Sequence, residues 1–340
     1  MKAPPTSLGA ANVVMHPATG TLRPIFIGGC PRSGTTLLGA LIGAHSRCVC
    51  VPEMQFKVYP MHRAFASPEG LTSREVARLI EYHPYFQNWG ISAGDDTRPD
   101  GTRLTYRQAV DDLVRRYATA VALPNADVWA DHSPQNIVQT RTLLERFPDA
   151  TILHIVRDGR GVAASLFPLR WSVNTVFAAA TVWAEHIAHG LAAELAHPER
   201  VHRVQYEELV RDPQRVMRRI CDVTKLEWEP QLGTVTRFRV PSATAHQHPN
   251  VSRPPDPSRA DAWRTSLTRR QIEIFESISG SLLANLGYPL EFEGQAAPPS
   301  KQEKLRATLG ELYGQLERLG WRAFTDLGAR LRPSARSRSA

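Results

Sequence analysis

Residues 24–36 read "PIFIGGCPRSGTT". A short apolar run rich in β-branched and aromatic residues, bounded by glycines, is the pattern of a buried parallel strand. The Thr35-Thr36 pair that follows opens a helical pattern. Between them, glycine lets the backbone fold closely around an anion, and the N–H groups of the next helix point at it. Gly29, Gly34 and Thr36 occupy the fixed positions of G-x-x-x-x-G-K-[ST], but Thr35 stands where the lysine belongs. A nucleoside triphosphatase needs that lysine and an acid for Mg²⁺. The acid that follows the strand-like run "ILHIV" is Asp158, behind Arg157. The loop therefore reads as a holder of phosphate without triphosphate machinery, with Arg32 as its cation.

Four further apolar runs, "CVCV", "DVWA", "TILHIV" and "RVHRVQY", alternate with helical patterns over 34–44, 134–147, 158–169, 172–196, 213–223 and 268–286. This predicts an α/β fold: a P-loop-like central parallel sheet flanked by helices. Residues 60–125 read as a mainly helical insertion covering the sheet edge, and 236–260 as a long loop. The expected organisation is a loose tail over 1–21, one domain over 22–293, and a linker with a basic helical tail over 294–340. In that tail Leu305, Leu309, Leu312, Leu316 and Leu319 recur at helical spacing. Packing on the core, self-association and an anionic membrane surface are its three readings.

The net charge is +8. Residues 296–340 hold nine Lys or Arg against four Asp or Glu, leaving +3 for the rest, so no nucleic-acid partner is expected. No run approaches about 18 apolar residues, so no membrane span is expected. Cys30, Cys48, Cys50 and Cys221 offer no zinc spacing and read as buried free thiols in a reducing, cytoplasmic setting. His246 and His248 have no accompanying ligand cluster, and no metal is expected.

"ILHIVRDGRGVAASL" (152–166) repeats the strand–turn–helix logic. Arg157 at the strand end and Ser165 two turns into the helix are placed to converge on a second anion. "PRSGTT" and "VRDGRGVAAS" together resemble the sulfotransferases that use 3′-phosphoadenosine-5′-phosphosulfate (PAPS). The likeness extends to "RVHRVQYEELVRDP" (200–213) and "AWRTSLT" (262–268), covering roughly residues 22–290. It is nearest to the branch with tyrosylprotein sulfotransferases and many bacterial sulfotransferases. That branch carries a glutamate 21 residues after the loop arginine, the separation of Arg32 and Glu53 here. It usually carries a lysine in W-x-x-K-[ST]-P, where this chain has His132.

The resemblance implies sulfuryl transfer from PAPS to a hydroxyl or phenol acceptor, giving a sulfate ester and PAP. It assigns Arg32, Ser33, Gly34, Thr35 and Thr36 to the 5′-phosphate end and Arg157 and Ser165 to the 3′-phosphate. Tyr206 falls on the adenine side. Glu53 is the expected base, with His132 supporting the sulfuryl group or sharing the base role. Arg259 or Arg264 is a candidate to close over the 3′-phosphate. The rival expectations are a P-loop kinase-like phosphotransferase, marked by Mg²⁺-dependent ATP binding, and a non-catalytic PAP-binding protein, marked by donor binding without transfer.

Overall fold

In a computed structural model the described residues are 20–94, 101–169, 172–234 and 253–312. Five parallel strands form the central sheet: β1 (Arg23–Gly28), β2 (Cys48–Val51), β5 (Val128–Asp131), β6 (Thr151–Val156) and β7 (Val201–Gln205), in the order β2-β5-β1-β6-β7. The chain leaves β1 toward one edge to form β2 and later crosses to the other side for β6 and β7. The switch point of the sheet therefore lies at the carboxyl end of β1, where open α/β sheets bind ligands.

Alternation along the strands serves two cores. Phe26, Val49, Trp129 and Ile152 point to one face, and Ile25, Ile27, Val128, Ala130, Leu153 and Ile155 to the other. The second face is covered by α1 (Thr35–Ile42), α8 (Tyr206–Arg211) and α9 (Pro213–Thr224). On the first lie α2 (Ser73–Ile80), α3 (Pro84–Gln87), α4 (Tyr106–Ala120) and α5 (Thr140–Arg146). A two-stranded antiparallel ribbon, β3 (Leu71–Thr72) with β4 (Arg103–Leu104), ties the insertion together. The insertion thus covers a sheet face rather than its edge, because Phe86, Trp89, Leu113 and Val114 join Phe26 and Trp129 of the inner strands in one apolar cluster.

A third cluster joins α6 (Gly159–Leu166), α7 (Val176–Ala196) and α11 (Arg269–Asn285), with the short α10 (Trp263–Ser266) packed beside them. The helix expected over 134–147 is instead a 3₁₀ turn at Pro134–Asn136 followed by α5. Asn136 is fully buried and donates through Nδ2 to the carbonyls of Ile27 (3.1 Å) and Asp131 (3.0 Å), which draws this turn onto the sheet. Residues 301–312 are helical, and 1–19, 235–252 and 313–340 lie outside the described residues, with His246, His248, Leu316 and Leu319 among them.

Candidate active site

Every strand of the central sheet delivers a predicted site residue at its carboxyl end. β1 runs into the loop of Arg32 to Thr36, β2 is followed by Glu53, β5 by His132, β6 by Arg157 and β7 by Tyr206. Glu53, 21 residues after Arg32, and Tyr206, 174 after it, therefore share one rim with it because the sheet is parallel.

The first loop is shaped by close contacts. Gly34 has φ +104°, and a Cβ there would lie 2.6 Å from the Tyr206 ring. A Cβ on Gly29 would lie 2.3 Å from the Ile155 carbonyl oxygen. No side chain caps α1, whose first turn carries the buried Thr35 and Thr36. Ser33 is fully buried, and its Oγ has no hydrogen-bond partner among the described residues. Uncapped N–H groups and the positive end of the helix dipole make this an anion-receptive turn.

The two expected anion sites form one connected cluster. Arg32 donates from Nε to Ser165 Oγ (3.1 Å), so its side chain lies on the Ser165 side. Arg157 donates from Nη1 to the Arg32 carbonyl (3.0 Å) and from Nη2 to the Arg259 carbonyl (3.2 Å). Its guanidinium stacks 4.3 Å from the Tyr206 ring centroid, a cation–π contact that fixes its plane. Arg157 Nε is buried without a partner among the described residues. Burial first, then the neighbouring Arg157 charge, pulls the Arg32 pKa below the ordinary arginine value. Two guanidiniums held this close suit a ligand that brings negative charge.

Behind them Asp158 caps α6 through the Arg160 N–H and pairs with the Arg160 side chain (2.7 Å). Arg160 is fully buried, bridges to Glu276 (2.7 Å) and stacks 4.0 Å from Trp263. Trp183 Nε1 donates to the Arg157 carbonyl (3.0 Å). The strand end carrying Arg157 is thus braced from α7, α10 and α11. Arg259 accepts from Arg157 Nη2 through its carbonyl, and its side chain faces Asp256 at 3.7 Å. Arg264 is engaged by Glu291 and Asp261, away from the cluster. Tyr206 opens α8 rather than ending β7.

Glu53 is partly buried and accepts from Gln55 Nε2 (2.9 Å). Burial raises its pKa to about 7, with Asp131 adding to the rise and Gln55, Lys57 and Arg32 opposing it. A carboxylate poised there suits general-base work near neutrality. His132 is buried, with its ring over Gly39 of α1. Burial lowers its pKa to about 4, so the imidazole is neutral near pH 7 and offers a hydrogen bond rather than a positive charge.

Sequence reasoning missed the pair beneath these residues. Lys57 Nζ and Asp131 Oδ2 lie 2.6 Å apart, both fully buried. Asp131 Oδ1 accepts from the Met54 N–H (3.2 Å) and Ser133 Oγ (2.6 Å), and Lys57 Nζ donates to the Met54 carbonyl (3.3 Å). The pair therefore clamps the residue after Glu53 to the strand end before His132. The available signal was a lysine in an apolar run, "MQFKVYP", four residues beyond Glu53. Among the described residues no group of three or more His, Cys, Asp or Glu is placed to hold a metal ion.

A model of the sulfotransferase family matches residues 24–230. Protein-tyrosine sulfotransferase A of Caenorhabditis elegans is 25% identical over 217 residues, 61% of this chain and 51% of that protein. Protein-tyrosine sulfotransferase 1 of Homo sapiens is 33% identical over 143 residues, 42% of this chain and 33% of that protein. The chain spans about half the length of these relatives or less. Among solved structures, the sulfotransferase domain from the Synechococcus PCC 7002 olefin synthase superposes with a TM-score of 0.54 at 22% identity, over 81% of this chain and 98% of that one. That likeness supports the P-loop-like α/β fold.

Proposed function

Because the chain belongs to the sulfotransferase family, we propose that it transfers a sulfuryl group from PAPS to a hydroxyl or phenol, leaving a sulfate ester and PAP. The observation that carries this reading is the connected cluster of Arg32, Arg157 and Ser165 beside the uncapped start of α1, on the same sheet edge as Glu53 with the end of β5 between them. Two buried donors without partners among the described residues, Ser33 Oγ and Arg157 Nε, suit an anionic ligand. PAPS supplies the sulfuryl group on a 5′-phosphate and carries a separate 3′-phosphate.

Toward such a donor, Arg157 and Ser165 hold the 3′-phosphate. The backbone of Ser33 to Thr36 serves the 5′ end, where negative charge develops on the leaving oxygen, and Arg32 brings its charge there by exchanging Ser165 Oγ for the donor. Glu53, with a pKa of about 7, takes the acceptor's proton. His132, neutral, donates a hydrogen bond toward the transferred group. Tyr206 braces the loop through Gly34 and flattens Arg157, beside the adenine position. The names of the curated relatives make a tyrosine phenol the first acceptor to try. A cytoplasmic location is the companion proposal, supported by four buried free cysteines.

The test is transfer of label from PAPS to a panel of phenols, saccharides, lipids and tyrosyl peptides, with Mg²⁺ and with excess EDTA. Metal-independent transfer to one class supports the reading. Binding of PAPS with no transfer to any acceptor favours the non-catalytic alternative, and Mg²⁺-dependent binding of ATP in its place favours the kinase-like one.

A further inference from the structure

The helix over residues 301–312 meets the protein the wrong way round for an ordinary amphipathic helix. Its acids turn inward. Glu303 receives Arg270 Nε and Nη2 (both 2.8 Å) at the start of α11. Glu311 accepts from the N–H groups of Asn174 and Thr175 (both 3.1 Å) and from Thr175 Oγ1 (2.9 Å), just before α7. Asn174 Nδ2 also donates to the Gly310 carbonyl (3.1 Å). Positions 303, 307, 310 and 311 are the partly buried ones, and they hold Glu, Ala, Gly and Glu. The leucines face out: Leu305, Leu309 and Leu312 are 60%, 56% and 51% exposed. Lys301, Lys304 and Arg306 are exposed beside them.

A leucine stripe turned from the core, with cations around it and both carboxylates spent inward, is a basic apolar ridge. Such a ridge matches a bilayer interface, where leucines enter the headgroup boundary and lysines meet anionic headgroups. A second copy fits worse, since a twofold contact through this face sets three cations against three. We propose that the outward face of residues 301–312 docks the protein on an anionic lipid surface. The chain beyond it adds six arginines and two acids over 313–340, so the same sign of charge continues along the sequence. This inference does not depend on the chemistry at the carboxyl end of the sheet. If it holds, the protein works at a membrane face, and its docking helix is fixed to α7 ten residues beyond Ser165.

The test is co-sedimentation of the full chain with vesicles of phosphatidylcholine alone or with about 30% phosphatidylserine, at low and raised salt. The expected result is binding to the anionic vesicles only, weakened by salt. L305Q/L309Q/L312Q is expected to lower the partition coefficient roughly tenfold or more, and K301E/K304E/R306E to abolish binding. These side chains are exposed, so both variants keep the fold. Failure of the full chain to bind anionic vesicles at low salt overturns the proposal. So does undiminished binding by the leucine variant. A wild-type dimer in light scattering that the leucine variant turns into a monomer, without vesicle binding, assigns the face to a second copy instead.

Discussion

Glu53 joins the candidate chemistry to a measurable titration. With a pKa of about 7 it is about one-tenth ionised at pH 6 and about nine-tenths at pH 8, whereas an ordinary glutamate is almost fully ionised at both. If the ionised form is the base, kcat/KM for sulfuryl transfer should rise about tenfold between these pH values, along a limb whose slope approaches one below pH 6 and that levels off above pH 8. Removing the Gln55 hydrogen bond, which lowers the pKa, should move the limb upward in Gln55→Leu. Glu53→Gln should lose about 10²–10⁴ in kcat, flatten the limb and leave PAPS affinity nearly unchanged. The same group predicts a stability profile. Its folded pKa lies above the ordinary 4.5, so the folded chain holds the proton longer than the unfolded one. The stability it contributes is full below pH 4.5 and is lost as pH rises through about 7. The change from 4.5 to about 7 is worth at most about 3 kcal/mol, and partial exposure reduces it to about 1–2 kcal/mol. Glu53→Gln should therefore match the parent at pH 4 and exceed it by that amount at pH 8 in urea unfolding. The assays are initial rates with labelled PAPS across pH and denaturation midpoints at the two ends. A flat kcat/KM from pH 6 to 8, or a limb that survives in Glu53→Gln and disappears in His132→Asn, would refute the assignment of Glu53.

Arg157→Ala should weaken PAPS binding by about 1.5–3 kcal/mol in calorimetry and erase the preference over the analogue lacking the 3′-phosphate. Gly34→Ala should cut PAPS binding and destabilise the fold by about 1–3 kcal/mol, since the new methyl meets both a positive φ and the Tyr206 ring; a variant unchanged in both would show that the loop is soft. Lys57→Met should cost about 3–5 kcal/mol by leaving Asp131 buried and unpaired, while Lys57→Met with Asp131→Asn should recover much of that in chemical denaturation.

The strands and the rim were readable from the sequence for a physical reason. A strand buried on both faces must be a short apolar run, so "PIFIG", "CVCV" and "TILHIV" declare themselves one at a time. Because the strands are parallel, the ends of these runs land on a common edge; the rule gives the edge, and the resemblance picked out Glu53, His132 and Tyr206 on it. What escaped depends on contacts between distant segments. The Lys57–Asp131 pair joins residues 74 apart, and nothing local in either run announces the other. The break before α5 needs the Asn136 side chain to find the Ile27 carbonyl, 109 residues away. The direction of the 301–312 leucines was out of reach as well. Periodicity gives the stripe, but only Glu303 on Arg270 and Glu311 at Thr175 decide which way it faces.

The parallel sheet has two poles, and the described site residues crowd one of them. At the other, the turn between α7 and β7 runs from His197 to Arg200, with Pro198 and Glu199 exposed. That turn is held by local bonds from the Arg200 and Val201 N–H groups to the His197 carbonyl and by Arg200 Nε on the Ala150 carbonyl (2.8 Å). Such a polar surface turn is the sort of place where a chain accepts added residues. An affinity tag, a fluorescent reporter or a surface-immobilisation handle placed between Pro198 and Glu199 would leave the working rim facing away from the attachment, so the molecule has a natural side by which to be held.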